Sequence, residues 1–402
     1  MRRLGTVLWF SWLFWACKTP GPSAGNDSGA AQVLASASAQ AAALSSADLG
    51  SAEAGAMGGG SQALVVSAKE QRTRARSASK KGESVELKAG THEAGSAPGE
   101  EGREPGIEPA LVPVELGAFE IDALPYPGDP SSPPRTVGSA AEAERLCAEQ
   151  KGRLCSELEW EHACKGPDGD AFVSGAAWDP VCDKEPNTCV SGYGVRAMGT
   201  QREWVKGGTR GAQAGAPIAS RRCAKRTQDP GGAQLAFRCC RGPESKAVVP
   251  EIETKPAFRK AKLDAAQIGK IFGAFPELAR IGTEIRLFEG EVQSVVNRSN
   301  AAHEGITFTG SPTLWSPELG VEVLVVTGRT KNLSFVVALY AGAADKYRLA
   351  SSFLMLGDVA PVALAYNPQR RKELLWSSCW GCSGEQGSVS LRDDHRVVIV
   401  QH

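Results

Sequence analysis

No sign of charge dominates this chain: 45 Lys and Arg stand against 45 Asp and Glu over 402 residues. Its one basic run, Arg72, Arg74, Arg76, Lys80 and Lys81, leads into a Glu-rich segment without interleaved aromatics. That pattern reads as a solvated polyampholyte and argues against a nucleic-acid partner. A Gly-x-Ser-x-Gly elbow, a phosphate-cradling glycine loop and His-Glu-x-x-His are all missing, which leaves hydrolase, nucleotide and zincin readings without support. Aromatics are almost missing from Lys18 to about Gly106, where Ala, Ser, Gly and charged residues prevail. Such a stretch cannot bury enough apolar area to offset its ordering entropy, so residues 18–108 are expected to form a disordered linker.

What is present begins at the N-terminus. Arg2 and Arg3 precede the apolar run Leu4 to Trp15, which falls short of the about 20 residues of a membrane span and fits a signal-peptide core. Ala16-Cys17 then resembles a bacterial lipobox, with Phe14 and Trp15 bulkier than its usual residues. On this reading residues 1–17 form a lipoprotein signal ending in the acylated Cys17; ordinary signal-peptidase cleavage and an uncleaved anchor are the alternatives. Lys18 follows, so the rule that Asp there retains a lipoprotein in the inner membrane does not apply, and outer-membrane attachment is expected.

Ten cysteines remain after Cys17: Cys147, Cys155, Cys164, Cys182, Cys189, Cys223, Cys239 and Cys240 in one region, and Cys379 with Cys382 in another. An even set in an exported chain reads as disulfides. The first region, 109–242, opens with the alternating Gly117 to Asp122, suited to a strand. Two short helices follow. Ser139-Ala140-Ala141-Glu142 and Ser156-Glu157-Leu158-Glu159 each read as a capping box. The first helix should bury Ala143, Leu146 and Cys147 and stop at Gly152; the second should align Trp160, Ala163 and Cys164 and end at Lys165-Gly166. Only short strand-like pieces come after, so the region needs covalent staples. A linker at 243–256 leads to a β-rich region, 257–402, with a helix over Lys262 to Phe275. Seven strands are expected after it: Val321 to Val326, Ser334 to Tyr340, Tyr347 to Leu356, Val362 to Tyr366, Glu373 to Trp376, Ser388 to Leu391 and Val397 to Val400. Their spacing suggests an antiparallel meander, a barrel or part of a propeller.

The run Gly152-Arg153-Leu154-Cys155-Ser156-Glu157-Leu158-Glu159-Trp160-Glu161-His162-Ala163-Cys164, with Arg222-Cys223-Ala224-Lys225-Arg226 and Ala236-Phe237-Arg238-Cys239-Cys240, resembles the formylglycine-generating enzyme (sulfatase-modifying factor) family. The resemblance implies an α+β, C-type-lectin-like domain. It also implies bridges Cys147–Cys239 and Cys164–Cys223; a third between Cys155 and Cys240 and a local one between Cys182 and Cys189 would use the remaining four. The family's two copper-binding cysteines lie about ten and about five residues before the position of Cys223, where this chain has Gln213 and Ile218. Copper is therefore not expected, since Cu(I) is selected by paired thiolates. The family's calcium segment corresponds to Ala197 to Trp204, in which Ala197 and Thr200 replace the Asp and Asn and Glu203 remains the calcium candidate. Calcium takes six to eight oxygens.

Cys379-Trp380-Gly381-Cys382 has oxidoreductase spacing but lies between strand-like runs, without the helix N-terminus that activates such thiols, so a structural disulfide is expected. His395 is the only nearby partner for zinc. It lies in Arg392-Asp393-Asp394-His395-Arg396, which reads as a hairpin turn rather than an Asp–His relay. His162 is expected to be half-buried on the second helix. The sequence as a whole reads as an envelope lipoprotein that binds a protein or a cell-envelope carbohydrate, with no cofactor required. The alternative is a formylglycine-generating or other copper- or thiol-dependent oxidase with displaced ligands; a third reading is a structural envelope protein whose β-rich domain is the interaction surface.

Overall fold

The computed structural model describes residues 80–213, 215–227, 233–287, 305–356, 362–377 and 386–402. Cys17, Cys379 and Cys382 lie outside the described residues, as do the signal segment and the linker up to residue 79. The protein is mixed and strand-rich, with several antiparallel sheets and four disulfides.

The described chain starts with β1 (Ser84–Leu87) and β2 (Gly90–Ala94), then β3 (Val112–Leu116) and β4 (Phe119–Asp122). The expected linker to residue 108 is thus too long at its C-terminal end. Sparse apolar residues suffice there because Leu87 and Ala94 are fully buried and Glu108 is held by an ion pair. Residues 80–108 were misread from composition, although Ser-Val-Glu-Leu at 84–87 already carries a strand alternation. β1 joins β4, and β2 pairs with β3 as a separate two-stranded sheet.

Helix α1 (Ala140–Glu149) buries Ala143, Leu146 and Cys147. Ser139 accepts from the Glu142 N–H, while Glu142 accepts from the Gly138 N–H rather than from Ser139, so the expected box is offset by one residue. After β5 (Arg153–Leu154) comes α2 (Glu157–Lys165), whose capping box is complete: Ser156 and Glu159 each accept the other's backbone N–H. Gly166 ends it at φ 68°, a conformation open to glycine at little steric cost. The chain then passes through the single turn α3 (Val181–Lys184), β6 (Glu203–Val205), β7 (Gly208–Arg210), β8 (Arg226–Thr227), β9 (Ala236–Phe237) and β10 (Cys239–Arg241). One sheet has the order β1-β4-β10-β5 and another β8-β7-β6-β9.

Side chains at successive strand positions face opposite ways. On β10 this sends Cys239 to α1 and a core of Leu146, Trp204 and Phe237, and Cys240 to the opposite core of Ile121, Trp160 and Val205. Neighbouring cysteines must therefore find different partners. The observed bridges are Cys147–Cys239, Cys155–Cys240, Cys164–Cys223 and Cys182–Cys189, the four pairs expected above.

The second module has β11 (Phe258–Lys260), α4 (Ala265–Gly273), α5 (Ala279–Gly282), β12 (Arg286–Leu287), β13 (Thr307–Thr309), β14 (Thr313–Glu318), β15 (Val321–Arg329), β16 (Leu333–Ala341), β17 (Tyr347–Leu356), β18 (Ala363–Tyr366), β19 (Glu373–Ser377), β20 (Gln386–Leu391) and β21 (Val397–Gln401). α4 begins later than expected because Asp264 caps it in a box with Gln267. The meander exists, but as two antiparallel sheets, β11-β14-β15-β16-β17 and β13-β18-β19-β20-β21, which share one core. Val323, Val325, Val336 and Ala338 face that core with Trp315, Leu374, Trp376 and Val389. The alternate residues Leu324, Val326, Phe335 and Val337 face Ile268 and Phe272 of α4. Burial on both faces explains why β15 and β16 read as continuous apolar runs.

Candidate functional site

Gln213 and Ile218, the positions that the resemblance aligns with copper thiolates, are both at the surface. Gln213 is exposed and Ile218 is 57% exposed, at the start of a single 3-10 turn. Every cysteine of the first module is consumed in a bridge.

Glu203, the calcium candidate, is fully buried on β6. Arg238 donates to both of its oxygens at 2.7 Å, and the Trp160 indole N–H donates at 2.9 Å. Arg238 also donates to the carbonyls of Asp122, Ala123 and Arg196, which ties the end of β4 and the segment at Arg196 to one carboxylate. Fully buried and neutralised by Arg238, this carboxylate is an internal counter-ion rather than a ligand open to calcium, and the calcium reading of Glu203 is corrected accordingly. No group of three or more candidate metal ligands occurs among the described residues.

His395 lies in the β20–β21 turn, where the Arg392 N–H donates to the Arg396 carbonyl and the His395 N–H to the Arg392 carbonyl. The left-handed position of this turn is His395 itself, at φ 62°. Its Nδ1 contacts Glu318 of β14, so its acidic partner is remote in sequence.

The most chemically organised cleft was not anticipated. It lies between the β2–β3 hairpin and α2, with a volume of about 400 Å³, and Thr91, His92, His162, Lys165, Asp168 and Tyr193 are among its lining residues. α2 presents Glu157, Glu161 and Lys165 at helical spacing of four. Glu161, 1% exposed, takes Lys165 at 2.7 Å and the Gly95 N–H at 2.7 Å on one oxygen, and Arg210 of β7 at 3.2 Å on the other. Lys165 spends its remaining donors on the Glu93 and Gly95 carbonyls. Burial alone would raise the Glu161 carboxyl, but Lys165, His92 and Arg210 together outweigh it and hold it below the ordinary range.

His92 is 5% exposed and its Nε2 lies 3.7 Å from Glu161, beyond hydrogen-bond reach. His162 is half-buried, as expected, and its ring centre is 4.9 Å from that of His92 and 5.0 Å from that of Tyr193. His92 Nε2 and His162 Nδ1 are both buried without a hydrogen-bond partner among the described residues. Burial lowers both imidazoles; His162, further lowered by His92 and Lys165, falls to about 4. Both rings are therefore neutral at pH 7. Sequence reasoning missed His92 because it lay in a stretch read as linker. The signal that could have found the site is the Glu157, Glu161, Lys165 stripe, since three charges on a face leading to a disulfide cysteine call for buried counter-charges.

No protein-family model matches the chain, and no curated protein matches it.

Proposed function

We propose that this chain is an exported, lipid-anchored envelope protein whose first module is a C-type-lectin-like relative of the formylglycine-generating enzyme that binds rather than oxidises. The anchor would be the lipid on Cys17 and the destination the outer membrane. The module's partner would be a protein or a cell-envelope carbohydrate. One observation carries the reading: all eight cysteines from Cys147 to Cys240 are in disulfides, while exposed Gln213 and Ile218 stand where the family's copper thiolates fall. Oxidised sulfur cannot supply the thiolates that select Cu(I). One further feature fits an exported chain: four disulfides suit an oxidising compartment.

The test is intact mass with and without an alkylating reagent on the full chain made in an oxidising compartment, followed by peptide mapping and titration with Cu(I). The expected result is no alkylation at the eight cysteines and no Cu(I) binding above that of a denatured control. Two or more labelled thiols, with Cu(I) held at them, would overturn the binding reading in favour of the copper- or thiol-dependent oxidase and would name its site.

A further inference from the structure

The β2–β3 hairpin belongs to no larger sheet. Its apolar hold is small: Ala94 and Leu116 meet Leu158 of α2, with Val114, Ala247 and Val249 at the edge. The rest of its attachment is polar and runs through one carboxylate. Glu161 accepts from the Gly95 backbone and neutralises Lys165, which in turn reaches back to the Glu93 and Gly95 carbonyls. On its far side the hairpin is tied by Lys346 to Glu93.

Into this attachment the fold inserts His92 from the hairpin against His162 from the helix. The charged and titratable groups around the pair are Glu161, Lys165 and His162 on α2, Arg210 on β7, Glu93 on β2, Tyr193, Glu100, which pairs with Arg222, and Asp168 and Asp170 at the more exposed rim of the cleft. Glu161 is already shared by Lys165 and Arg210, and Glu93 by Lys346. A proton on either imidazole therefore adds positive charge beside Lys165 in a largely buried space whose nearest carboxylate, Glu161, already serves two cations, and burial makes that charge costly to hold.

We infer that the hairpin is an acid-released latch: protonation of the His92–His162 pair undocks β2 and β3 from α2 and opens the cleft between them. The connection between the two strands stays fixed, because Glu108 within it is clamped by Arg222 and its neighbour Arg103 donates to the Gly320 carbonyl of the second module. The latch thus opens about a tethered hinge without separating the modules. The device is independent of what the first module binds; it governs access to the cleft.

Hydrogen exchange by mass spectrometry on the full chain at pH 7.5 and 5.0, corrected for intrinsic exchange, tests it. Peptides covering 90–96 and 112–116 are expected to open at least tenfold more at pH 5.0, while 99–110 and β15–β16 keep their protection. His92→Gln and His162→Gln, which cannot be protonated there, are each expected to abolish the acid response. Unchanged hairpin protection at pH 5.0, or an equal loss in β15–β16, overturns the latch. An imidazole NMR titration of the wild-type chain checks it without any substitution: both rings titrating near the ordinary value of about 6.5 would overturn it as well.

Discussion

Glu108 and Arg222, separated by 114 residues in sequence, meet in the interior through two bonds of 2.7 and 2.8 Å, with 0% and 1% of their side chains exposed. Ser96 also donates to Glu108, and Arg222 adjoins the bridged Cys223. The pair fixes the 95–110 segment onto the first module. Removing Glu108 leaves the buried Arg222 with only the partly exposed Glu100, at 3.2 Å, as counter-charge, so Glu108→Ala is expected to cost about 3 kcal/mol in urea unfolding. Replacing both with apolar residues should cost less than Glu108→Ala alone, and a larger loss in the double variant would refute the assignment.

Glu203 gives a comparable test with a metal control. Glu203→Gln leaves Arg238 buried beside a neutral amide and is expected to lower stability by a few kcal/mol, on the scale of broken buried pairs. The loss should be the same in calcium and in chelator, measured as a shift in Tm. A calcium-dependent Tm for the wild type that vanishes in Glu203→Gln would restore the metal reading.

The stability of the first module should fall on acidification in two stages. His162 and His92 are lowered by burial, so the unfolded chain binds protons that the folded one refuses, and stability declines as the pH drops from about 6.5 toward about 4. Glu161 is held low in the folded state, so its contribution is present above its unfolded value and is lost only at more acid pH. Each group adds a slope of at most about 1.4 kcal/mol per pH unit. Urea midpoints from pH 7.5 to 3.5 should show the histidine part removed by His162→Gln; a flat profile between pH 7 and 5 would contradict it.

Gly320 sits between β14 and β15 at φ 74°, and a Cβ there would meet the Pro105 carbonyl oxygen at 1.9 Å. Gly320→Ala is expected to destabilise by more than about 1 kcal/mol and to raise proteolysis between residues 96 and 110, because it forces that segment off the second module. Unchanged proteolysis would show that the segment is held without this contact.

Loop length orders the disulfides. Losing Cys147–Cys239, which closes a separation of 92 residues, should cost more than losing Cys182–Cys189, which closes 7; chain-entropy arithmetic gives about 4–5 against about 2 kcal/mol. Thermal unfolding of the two Cys-to-Ser double variants should preserve that order.

Several elements were legible before any fold was known because their signals are local. Ser156 and Glu159 announce a helix start, and Trp160, Ala163 and Cys164 are buried as their spacing suggests, but Glu157, Glu159, Glu161 and Lys165 are buried as well, so no single face tells the helix's surroundings. The seven long strands from β15 to β21 stand out by apolar pattern and turn spacing. β14 did not, because Pro317 lies within it at a register irregularity after Trp315, and proline argues against a strand unless a bulge accommodates it. β1 and β2 were hidden by composition. Their few apolar residues are each fully used, and a count of residue types cannot register that.

The sequence alone determined the even set of cysteines, the two capped helices and the β-rich second half, since each depends on residue identity or on spacing along the chain. Only the tertiary structure decided that Glu203 serves Arg238, that His395 meets Glu318, and that His92 lies against His162. Those contacts join residues 35 to 77 positions apart, and burial and counter-charge, which set what a side chain can do, are properties of the neighbours that folding supplies.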